Sequence, residues 1–388
     1  MIVDELRIIG STQTNVVMAA ELTRIAQRAV RKRPPNPRKE GLGQLVYPFD
    51  RDLAWAAVTY LRTPTRVLWD VYRSRADRLE PLYDELLDDV RGDARALFRD
   101  GTGLSLEARH VEAFAAGERQ VVGTVKNALI DGAARRGLRL HVDPDRPDAR
   151  WVARLDDRGE LVVSIDLGGG SLSQRGWRRE AGEAPLREHL AAVLLMLGRF
   201  DPRADLLVDP MCGSGTIPIE AILAARATPR RSHTLEALGL ARDAPALYPD
   251  AAPVAIGCDL DLAVLAAARD NGRAAGVADQ VTWQRADVTQ LRPEMIVDIA
   301  RERGHPTPDR PGLLLSNPPY GERLDQHDLH KLYTALAHTC RNFRGWRAGF
   351  LVGNALLEEA FYGVVGQPRS KKPLTNANLR AYFYLYDL

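Results

Sequence analysis

Short apolar runs alternate with segments of helical periodicity through the second half of the chain. The runs predict buried strands, and the segments between them, with apolar residues three and four positions apart, predict amphipathic helices. Strands are expected at 206–209, 254–258, 281–285, 313–316, 348–352 and 379–386. Helices are expected at 185–199, 217–226, 262–275 and 328–343. This alternation is typical of a doubly wound α/β sheet, which binds ligands at the carboxyl ends of its strands.

The first half of the chain has a mixed pattern. Helical periodicity covers 16–30, 79–97 and 121–134, and apolar runs lie at 45–47, 67–71, 104–108, 151–155 and 161–165. The last two runs flank residues 156–159, Asp-Asp-Arg-Gly, which predicts a hairpin. By composition we expect a loop at 31–43 and an insertion at 227–253.

Three consecutive glycines at 168–170 mark the change from the mixed pattern to the alternating one. We therefore expect an amino-terminal region at 1–75, a small α+β domain at 76–167 and an α/β domain at 168–388. With 388 residues, the chain is long enough for each part to have a core of its own.

The tetrapeptide Asn317-Pro318-Pro319-Tyr320 follows the strand predicted at 313–316. Because both prolines restrict the backbone and donate no hydrogen bond, the chain should leave the strand in a rigid elbow. The elbow offers two acceptors, the Asn317 side-chain oxygen and the Pro318 carbonyl, and the Tyr320 ring as a stacking face. That set suits an exocyclic amine of a nucleobase, which must be drawn toward tetrahedral geometry before it can attack. A plain Pro-Pro turn is the competing interpretation.

A glycine-rich loop, Asp209-Pro210-Met211-Cys212-Gly213-Ser214-Gly215-Thr216, connects the strand predicted at 206–209 to the next helix. Its glycines let the backbone approach a ligand, and the helix amino terminus supplies free N–H groups. The loop lacks the Gly-Lys-Ser/Thr of a phosphate-binding loop, and its glycine spacing is not the dinucleotide one. It therefore predicts a cofactor without phosphates.

Two acidic residues, Asp259 and Asp287, end the next two predicted strands. Asp259 is placed to hold a ribose diol, and Asp287 suits recognition of an adenine amine. Either residue alone would more often be a helix cap. Their positions at the ends of consecutive strands favour a nucleoside cofactor.

These motifs resemble those of the class I methyltransferases that use S-adenosylmethionine to methylate exocyclic amines. More narrowly, the chain resembles the bacterial 23S ribosomal RNA guanine-N2 methyltransferases that carry a THUMP RNA-binding domain. Segments 171–178, 182–188 and 371–376 also resemble this family, whereas Trp177, where the family has Tyr, and the first thirty residues depart from it. The resemblance implies a mostly parallel methyltransferase sheet with an antiparallel last strand. It also implies a ferredoxin-like region at 1–75 and a THUMP-like domain at 76–167.

The resemblance also implies a role for each motif, with S-adenosylmethionine as the cofactor and direct displacement on a flipped-out base as the reaction. The catalytic residues would be Asn317, Pro318, Pro319 and Tyr320. The cofactor-binding residues would be Asp209, Pro210, Cys212, Gly213, Ser214, Gly215, Thr216, Asp259, Leu260, Asp287, Val288 and Asn317.

The sequence also offers two other kinds of candidate catalytic residue. Cys212 as a nucleophile is disfavoured, since this cysteine belongs to the glycine loop on the cofactor side. Asp325, Glu322 and His327 follow the elbow, and we expect surface or capping roles for them rather than that of a general base.

Composition narrows the class of protein without naming it. The three cysteines, at 212, 258 and 340, lack metal-ligand spacing, so we expect neither a bound metal nor a disulfide. No apolar stretch approaches the length of a membrane span, and the first residues lack a secretory signal, so we expect a cytoplasmic protein without a membrane partner.

A formal net charge of +2 does not by itself argue for nucleic acid, but the basic residues are clustered. For each cluster a solvated face is the competing interpretation. We expect the RNA contacts at Arg109, Lys126, Arg135, Arg136, Arg175, Arg178, Lys371 and Lys372.

Three functions remain open on the sequence. The first is guanine-N2 methylation of 23S ribosomal RNA, with transfer RNA as the nearest alternative substrate. The second is methylation of adenine N6 or cytosine N4 in DNA, because the elbow would hold any exocyclic amine. The third is a non-catalytic RNA-binding assembly factor with a vestigial methyltransferase fold.

Overall fold

A computed structural model describes residues 1–179, 186–203, 205–302, 304, 312–320, 325–376 and 379–388. Residues 182–185 of one family-like segment, and Glu322 after the elbow, lie outside the described residues. The chain divides into two compact units. One comprises Met1–Gly10, Met18–Leu172 and Pro229–Ala244, and the other comprises Ser11–Val17, Ser173–Thr228 and Pro245–Leu388.

The elements are numbered in chain order. The strands are β1 Ile2–Ile9, β2 Arg38–Lys39, β3 Gln44–Pro48, β4 Arg66–Ser74, β5 Gly103–Arg109, β6 His141–Val142, β7 Ala149–Leu155, β8 Leu161–Asp166, β9 Leu206–Asp209, β10 Val254–Asp259, β11 Val281–Arg285, β12 Leu313–Ser316, β13 Arg347–Val352, β14 Ser370–Asn376 and β15 Leu379–Asp387. The helices are α1 Asn15–Ala29, α2 Arg51–Tyr60, α3 Leu79–Gly92, α4 Glu118–Ala134, α5 Glu188–Leu197, α6 Thr216–Ala225, α7 His233–Ala237, α8 Leu262–Ala274, α9 Pro293–Glu302, α10 Gln326–Cys340 and α11 Leu356–Tyr362.

The first unit is built on one sheet with strand order β2-β3-β1-β4-β8-β7-β5-β6. Strands from the regions expected at 1–75 and 76–167 share this sheet, because β4 pairs with β8 in antiparallel register. The predicted hairpin is present, with β7 and β8 antiparallel across residues 156–159. Much of the segment predicted as an insertion, Pro229–Ala244, is grouped with this unit rather than with the second one.

Two helices of the first unit differ from the sequence prediction. Helix α2 was missed because eight of its residues are buried, so apolar residues surround it and leave no amphipathic period. Its start is nevertheless capped by Asp50, which accepts hydrogen bonds from the N–H groups of Asp52 and Leu53 at 2.8 and 3.0 Å. Helix α3 ends at Gly92, five residues before the expected end at residue 97.

The second unit is built on a seven-stranded sheet with order β11-β10-β9-β12-β13-β15-β14. Strands β9 to β13 pair in parallel, whereas β15 pairs antiparallel with β13 and β14 pairs antiparallel with β15. The predicted doubly wound sheet with an antiparallel last strand is therefore confirmed. Its direction of winding reverses between β9 and β12, and a sheet of this kind binds ligands at that point.

Alternation along the strands builds a core on each face of the second sheet. Leu207 of β9 packs on one face with the helices α5 and α6, and Val208 packs on the other face with α10 and α11. The helix expected at 185–199 is present as α5, and its Leu190 and Leu194 are fully buried in the core. Among the described residues, no helix is both long and apolar enough to cross a membrane.

Candidate active site

The strand β9 and the strand β12 bring the two predicted motifs together at the reversal point of the sheet. The strands pair in parallel through Leu207 with Leu313 and Val208 with Leu314. Asp209, which begins the glycine loop, therefore lies beside Ser316, which precedes the elbow. The Ser316 hydroxyl donates a 2.7 Å hydrogen bond to the Asp209 carboxylate, and both side chains are buried. This bond joins residues 107 positions apart.

The glycines of the loop are required by its backbone and by an indole beside it. Gly213 has φ of +52° and Gly215 has φ of +86°, both in the left-handed region that side chains disfavour. A Cβ atom at Gly215 would lie 2.4 Å from Cη2 of Trp283, on β11. The same ring would clash with a Cβ at Gly257, at 2.7 Å. Trp283 therefore packs against the backbone of both β10 and the loop.

Polar side chains brace the glycine loop from outside. The Asn271 amide donates to the Ser214 carbonyl at 3.1 Å. Arg178 donates to the hydroxyls of Ser214 and Thr216 at 3.2 and 3.1 Å and forms an ion pair with Glu188 at 2.9 Å. Because these contacts occupy the Arg178 guanidinium, it supports the loop, and the structure does not favour the RNA contact predicted for it.

Arg175 requires a similar correction. Its side chain is 3% exposed and pairs at 3.2 Å with Glu220 of α6, whose side chain is fully buried. A guanidinium in this position has no access to phosphate, so the predicted RNA contact at Arg175 is not supported. Its place in a cluster of basic residues predicted an RNA contact, but its side chain is buried against Glu220 of α6.

Asp259 connects the end of β10 to the glycine loop. One carboxylate oxygen accepts from the Gly213 N–H at 3.0 Å, and the other accepts from the Asp261 N–H at 3.1 Å. Asp259 is half-buried, and the next residue, Leu260, is 56% exposed. A half-buried carboxylate and an exposed apolar side chain thus follow each other at a strand end, next to the glycine loop.

Asp287 lies beyond the end of β11. Its carboxylate accepts hydrogen bonds from the N–H and the hydroxyl of Thr289, at 2.9 and 2.8 Å, and so caps a short 3-10 turn. The neighbouring Val288 is buried, and its carbonyl accepts from Thr339 of α10. Asp287 therefore has the capping role that was the competing interpretation of its sequence position. Its contact with adenine remains a prediction.

The elbow presents a buried hydrogen-bond acceptor. Oδ1 of Asn317 is buried and finds no hydrogen-bond partner in the described part of the chain. A buried carbonyl oxygen without a partner is costly, so its position indicates a ligand donor. The Pro319 carbonyl is already occupied by the Tyr333 hydroxyl at 2.7 Å. The predicted acceptors at Asn317 and Pro318 are thus held on a backbone that Tyr333 anchors.

Tyr320 is fixed by two contacts that the sequence did not predict. Its hydroxyl accepts from the Asn376 amide at 2.5 Å. Its ring lies over Gly353 so closely that a Cβ there would be 2.8 Å from the ring. For the contact with Asn376, the only indication in the sequence is the position of this residue in the family-like segment at 371–376. For the contact with Gly353 the sequence contains no indication.

Burial changes the protonation of two groups near the loop. Loss of solvent raises the pKa of Asp209 to about 7, although the hydrogen bonds from Ser316 and the Met211 N–H oppose the shift. Burial also raises the pKa of the Cys212 thiol well above its ordinary value. Cys212 is thus a protonated side chain packed inward, which disfavours a nucleophilic role.

We expect Asp209→Asn to stabilise the protein increasingly as pH rises. The pKa of the folded-state carboxyl, about 7, exceeds its ordinary value of 3.8. Unfolding therefore releases a proton between these values, and wild-type stability falls relative to the variant by about 1.4 kcal/mol per pH unit across that interval. Urea unfolding of both proteins from about pH 4 to about pH 8 measures the difference. A difference independent of pH would contradict the raised pKa.

The acidic and histidine residues that follow the elbow have capping or surface positions where the structure describes them. Asp325 caps α10 by accepting from the Asp328 N–H at 2.8 Å, which confirms the capping role expected for it, and His327 is exposed. No group of three His, Cys, Asp or Glu side chains suited to a metal occurs among the residues that the structure describes.

The other predicted RNA contacts lie mainly at the surface. Arg109 pairs with Glu107 at 2.9 Å, and Lys371 pairs with Glu358 at 2.6 Å. Arg135 and Lys372 are exposed, whereas Lys126 and Arg136 are half-buried. Lys371 and Lys372, as neighbours on β14, point to opposite faces of the sheet.

The strand order and the site at its reversal point define a methyltransferase of class I. Comparison with known proteins agrees, since the model of the family described as "RMKL-like, methyltransferase domain" matches residues 175–379. The chain belongs to this RMKL-like methyltransferase family.

Individual relatives extend this similarity. The ribosomal RNA large subunit methyltransferase K/L of Chromohalobacter salexigens is 35% identical over 338 residues, which are 79% of this chain and 43% of the relative. The chain thus spans less than half the length of that curated relative. Among solved structures, SMU.472 complexed with SAH has a TM-score of 0.77 at 22% identity, covering 99% of this chain and 98% of its own. A structure described as a possible methylase from Clostridium difficile 630 has a TM-score of 0.76 at 24% identity, with coverage of 99% and 98%.

Proposed function

We propose that the protein transfers a methyl group from S-adenosylmethionine to the exocyclic N2 of a guanine in 23S ribosomal RNA. The observation that carries this proposal is the buried Oδ1 of Asn317, which has no hydrogen-bond partner among the described residues. It lies at the end of β12, next to the glycine loop that follows β9. A carbonyl oxygen held there can accept a hydrogen bond from an amine N–H at the edge of a cofactor site. Membership of the methyltransferase family and the K/L relative support the reaction and the class of RNA.

The residues at the loop fit S-adenosylmethionine. Gly213 and Gly215 keep the loop free of side chains, which allows a ligand to lie against its backbone. The Asp259 carboxylate, half-exposed at the end of β10, is placed to accept from both hydroxyls of a ribose, with Leu260 exposed beside it for an adenine ring. Asp287 would hold the adenine amine. The cofactor supplies a methyl group made electrophilic by its positive sulfur.

The chain's own contribution to transfer is positioning. Asn317 Oδ1 and the Pro318 carbonyl accept the amine protons and draw the nitrogen out of the plane of its ring. Tyr333 holds the Pro319 carbonyl, which keeps the elbow rigid, and the fixed Tyr320 ring stacks with the base. A base reaches this elbow only after it leaves its stack.

The first unit is the expected RNA-binding part. Its exposed Arg135, at the end of α4, and Arg109, at the end of β5, are the predicted phosphate contacts there. Lys126 and Arg136 lie on and just after α4 and complete the proposed set. In the second unit, the proposed RNA contacts are Lys371 and Lys372. Arg175 and Arg178 are not among them, because their side chains are engaged within the protein.

We expect Asp259→Ala to weaken S-adenosylmethionine binding by about 10- to 100-fold, since the variant loses charge-assisted hydrogen bonds to the ribose and the support of Gly213. Equilibrium dialysis measures the affinity. Asp261→Ala is the matched control, because Asp261 caps α8 two positions later. The control should lose about 1 kcal/mol of stability and keep its cofactor affinity. Equal loss of affinity in both variants would argue against a ribose contact at Asp259.

The function is tested by incubating the protein with labelled S-adenosylmethionine and, separately, ribosomal RNA, transfer RNA and DNA. Digestion then identifies the methylated nucleoside. N2-methylguanosine in 23S ribosomal RNA is the expected product. The same product in transfer RNA alone would transfer the proposal to that substrate, and N6-methyladenine or N4-methylcytosine in DNA would refute it. Absence of transfer to all three would favour the non-catalytic alternative.

A further inference from the structure

A pocket of about 450 Å³ adjoins the elbow, and Tyr320 forms part of its wall. The other walls come from the start of α10, the turn after β13, helix α11 and the start of β15. Its volume is that of a small-molecule site, large enough for a nucleobase. The residues assigned above to the cofactor do not line it, so the pocket extends the site beyond those residues.

The Tyr320 wall is already fixed in position. The Asn376 amide holds its hydroxyl, and the close contact with Gly353 prevents the ring from tilting toward β13. A rigid aromatic wall favours a flat partner, since no side-chain freedom is lost when the partner stacks. The shape of the pocket therefore suits an aromatic base.

Two opposite charges project from separate elements that line this pocket. Glu359 lies on α11 and Arg380 lies near the start of β15, and both are exposed. Neither forms an ion pair with another described residue. The Arg380 guanidinium lies 5.4 Å from the centre of the Tyr382 ring, which positions it without neutralising it. The amide side chains of Gln326 and Asn354 are also present. The pocket thus offers acceptors and donors on different walls.

We propose that this pocket binds the guanine that is methylated, with Glu359 accepting from its N1–H and Arg380 donating to its O6 and N7. The inference rests on the proposed function, since it takes the base beside the elbow as the methyl acceptor. Among bases with an exocyclic amine, guanine alone has a ring N–H next to that amine. Adenine and cytosine present a lone pair at the equivalent nitrogen, which a carboxylate repels. Glu359 thereby selects guanine, a choice that the elbow alone does not make.

The test measures binding of mononucleotides to the full chain in the presence of S-adenosylhomocysteine, by calorimetry or ligand-observed NMR. Inosine monophosphate keeps N1–H, O6 and N7 but lacks the amine, whereas 2-aminopurine ribonucleotide keeps the amine but lacks N1–H and O6. We expect guanosine and inosine monophosphates to bind at least about tenfold more tightly than 2-aminopurine ribonucleotide and adenosine monophosphate. Glu359→Gln should reduce this discrimination at least about threefold, since an amide can donate or accept, and the contact of Arg380 with O6 should supply the part that remains.

Glu358→Gln is the matched control, because it makes the same change one position earlier on α11, where the carboxylate pairs with Lys371. The control should keep the wild-type order of affinities. Equal affinity of wild type for 2-aminopurine and guanine nucleotides would overturn the inference, as would a Glu359→Gln variant that discriminates like wild type. Failure of guanosine monophosphate to bind at millimolar concentration would also overturn it. These measurements need no methyl transfer, so they are independent of the assay that tests the proposed function.

Discussion

Asn317→Ala is expected to lower the methylation rate by about 100- to 1000-fold and to leave cofactor affinity within about twofold of wild type. The substitution removes the buried Oδ1, which has no hydrogen-bond partner in the described part of the chain and which we propose accepts a hydrogen bond from the amine N–H. The contacts that brace the glycine loop come from Arg178, Asn271 and Asp259, so the substitution leaves them intact. Single-turnover rates with substrate RNA and equilibrium dialysis with S-adenosylmethionine measure the two quantities separately.

The matched control for this prediction is Asn342→Ala. Asn342 is exposed just beyond the carboxyl end of α10, whereas the elbow precedes the amino end of that helix. Tyr333, which contacts the elbow through the Pro319 carbonyl, lies nine positions before Asn342, so about 13 Å along the helix axis separates Asn342 from that contact. The control should keep both rate and affinity. If Asn317→Ala lost cofactor affinity in parallel with rate, Asn317 would belong to the cofactor site and the division of roles would be wrong.

Gly215→Ala is expected to destabilise the protein by about 3 kcal/mol and to weaken cofactor binding at least tenfold. Two costs add. The φ of +86° is unfavourable for alanine, and the new Cβ would lie 2.4 Å from the Trp283 ring and 3.2 Å from Ala268. The loop can relieve the clash only by moving the backbone that faces the ligand. Urea unfolding and equilibrium dialysis measure the two effects.

Gly276→Ala separates the two costs. Gly276, just after α8, has φ of +70°, but its Cβ would meet no atom within 4 Å. This control should lose only about 1 kcal/mol, the cost of the backbone conformation, and bind the cofactor normally. Adding Trp283→Leu to Gly215→Ala should recover part of the difference. If Gly215→Ala were no less stable than Gly276→Ala, Trp283 would not determine the need for glycine.

Several elements were missed for identifiable reasons. Helix α9 carried a usable signal, since Pro293 and Glu294 occupy its first turn and Ile296 and Ala300 form its buried face. Helix α11 spans seven residues, too few for a clear period. Strand β14 is an edge strand with exposed polar residues and a proline, so it lacks the apolar run on which the strand predictions rest.

The sequence by itself determined the alternation of strands and helices, the glycine loop and the elbow, because each follows from local periodicity or from the restricted backbone of glycine and proline. The tertiary structure alone decided which distant residues meet. The Ser316–Asp209 bond, the packing of Trp283 on Gly215 and the hold of Asn376 on Tyr320 all depend on strand order and register, which local patterns do not encode. For the same reason Arg175, near the motifs in sequence, is buried against Glu220, whereas Glu359 and Arg380, on separate elements, line one pocket.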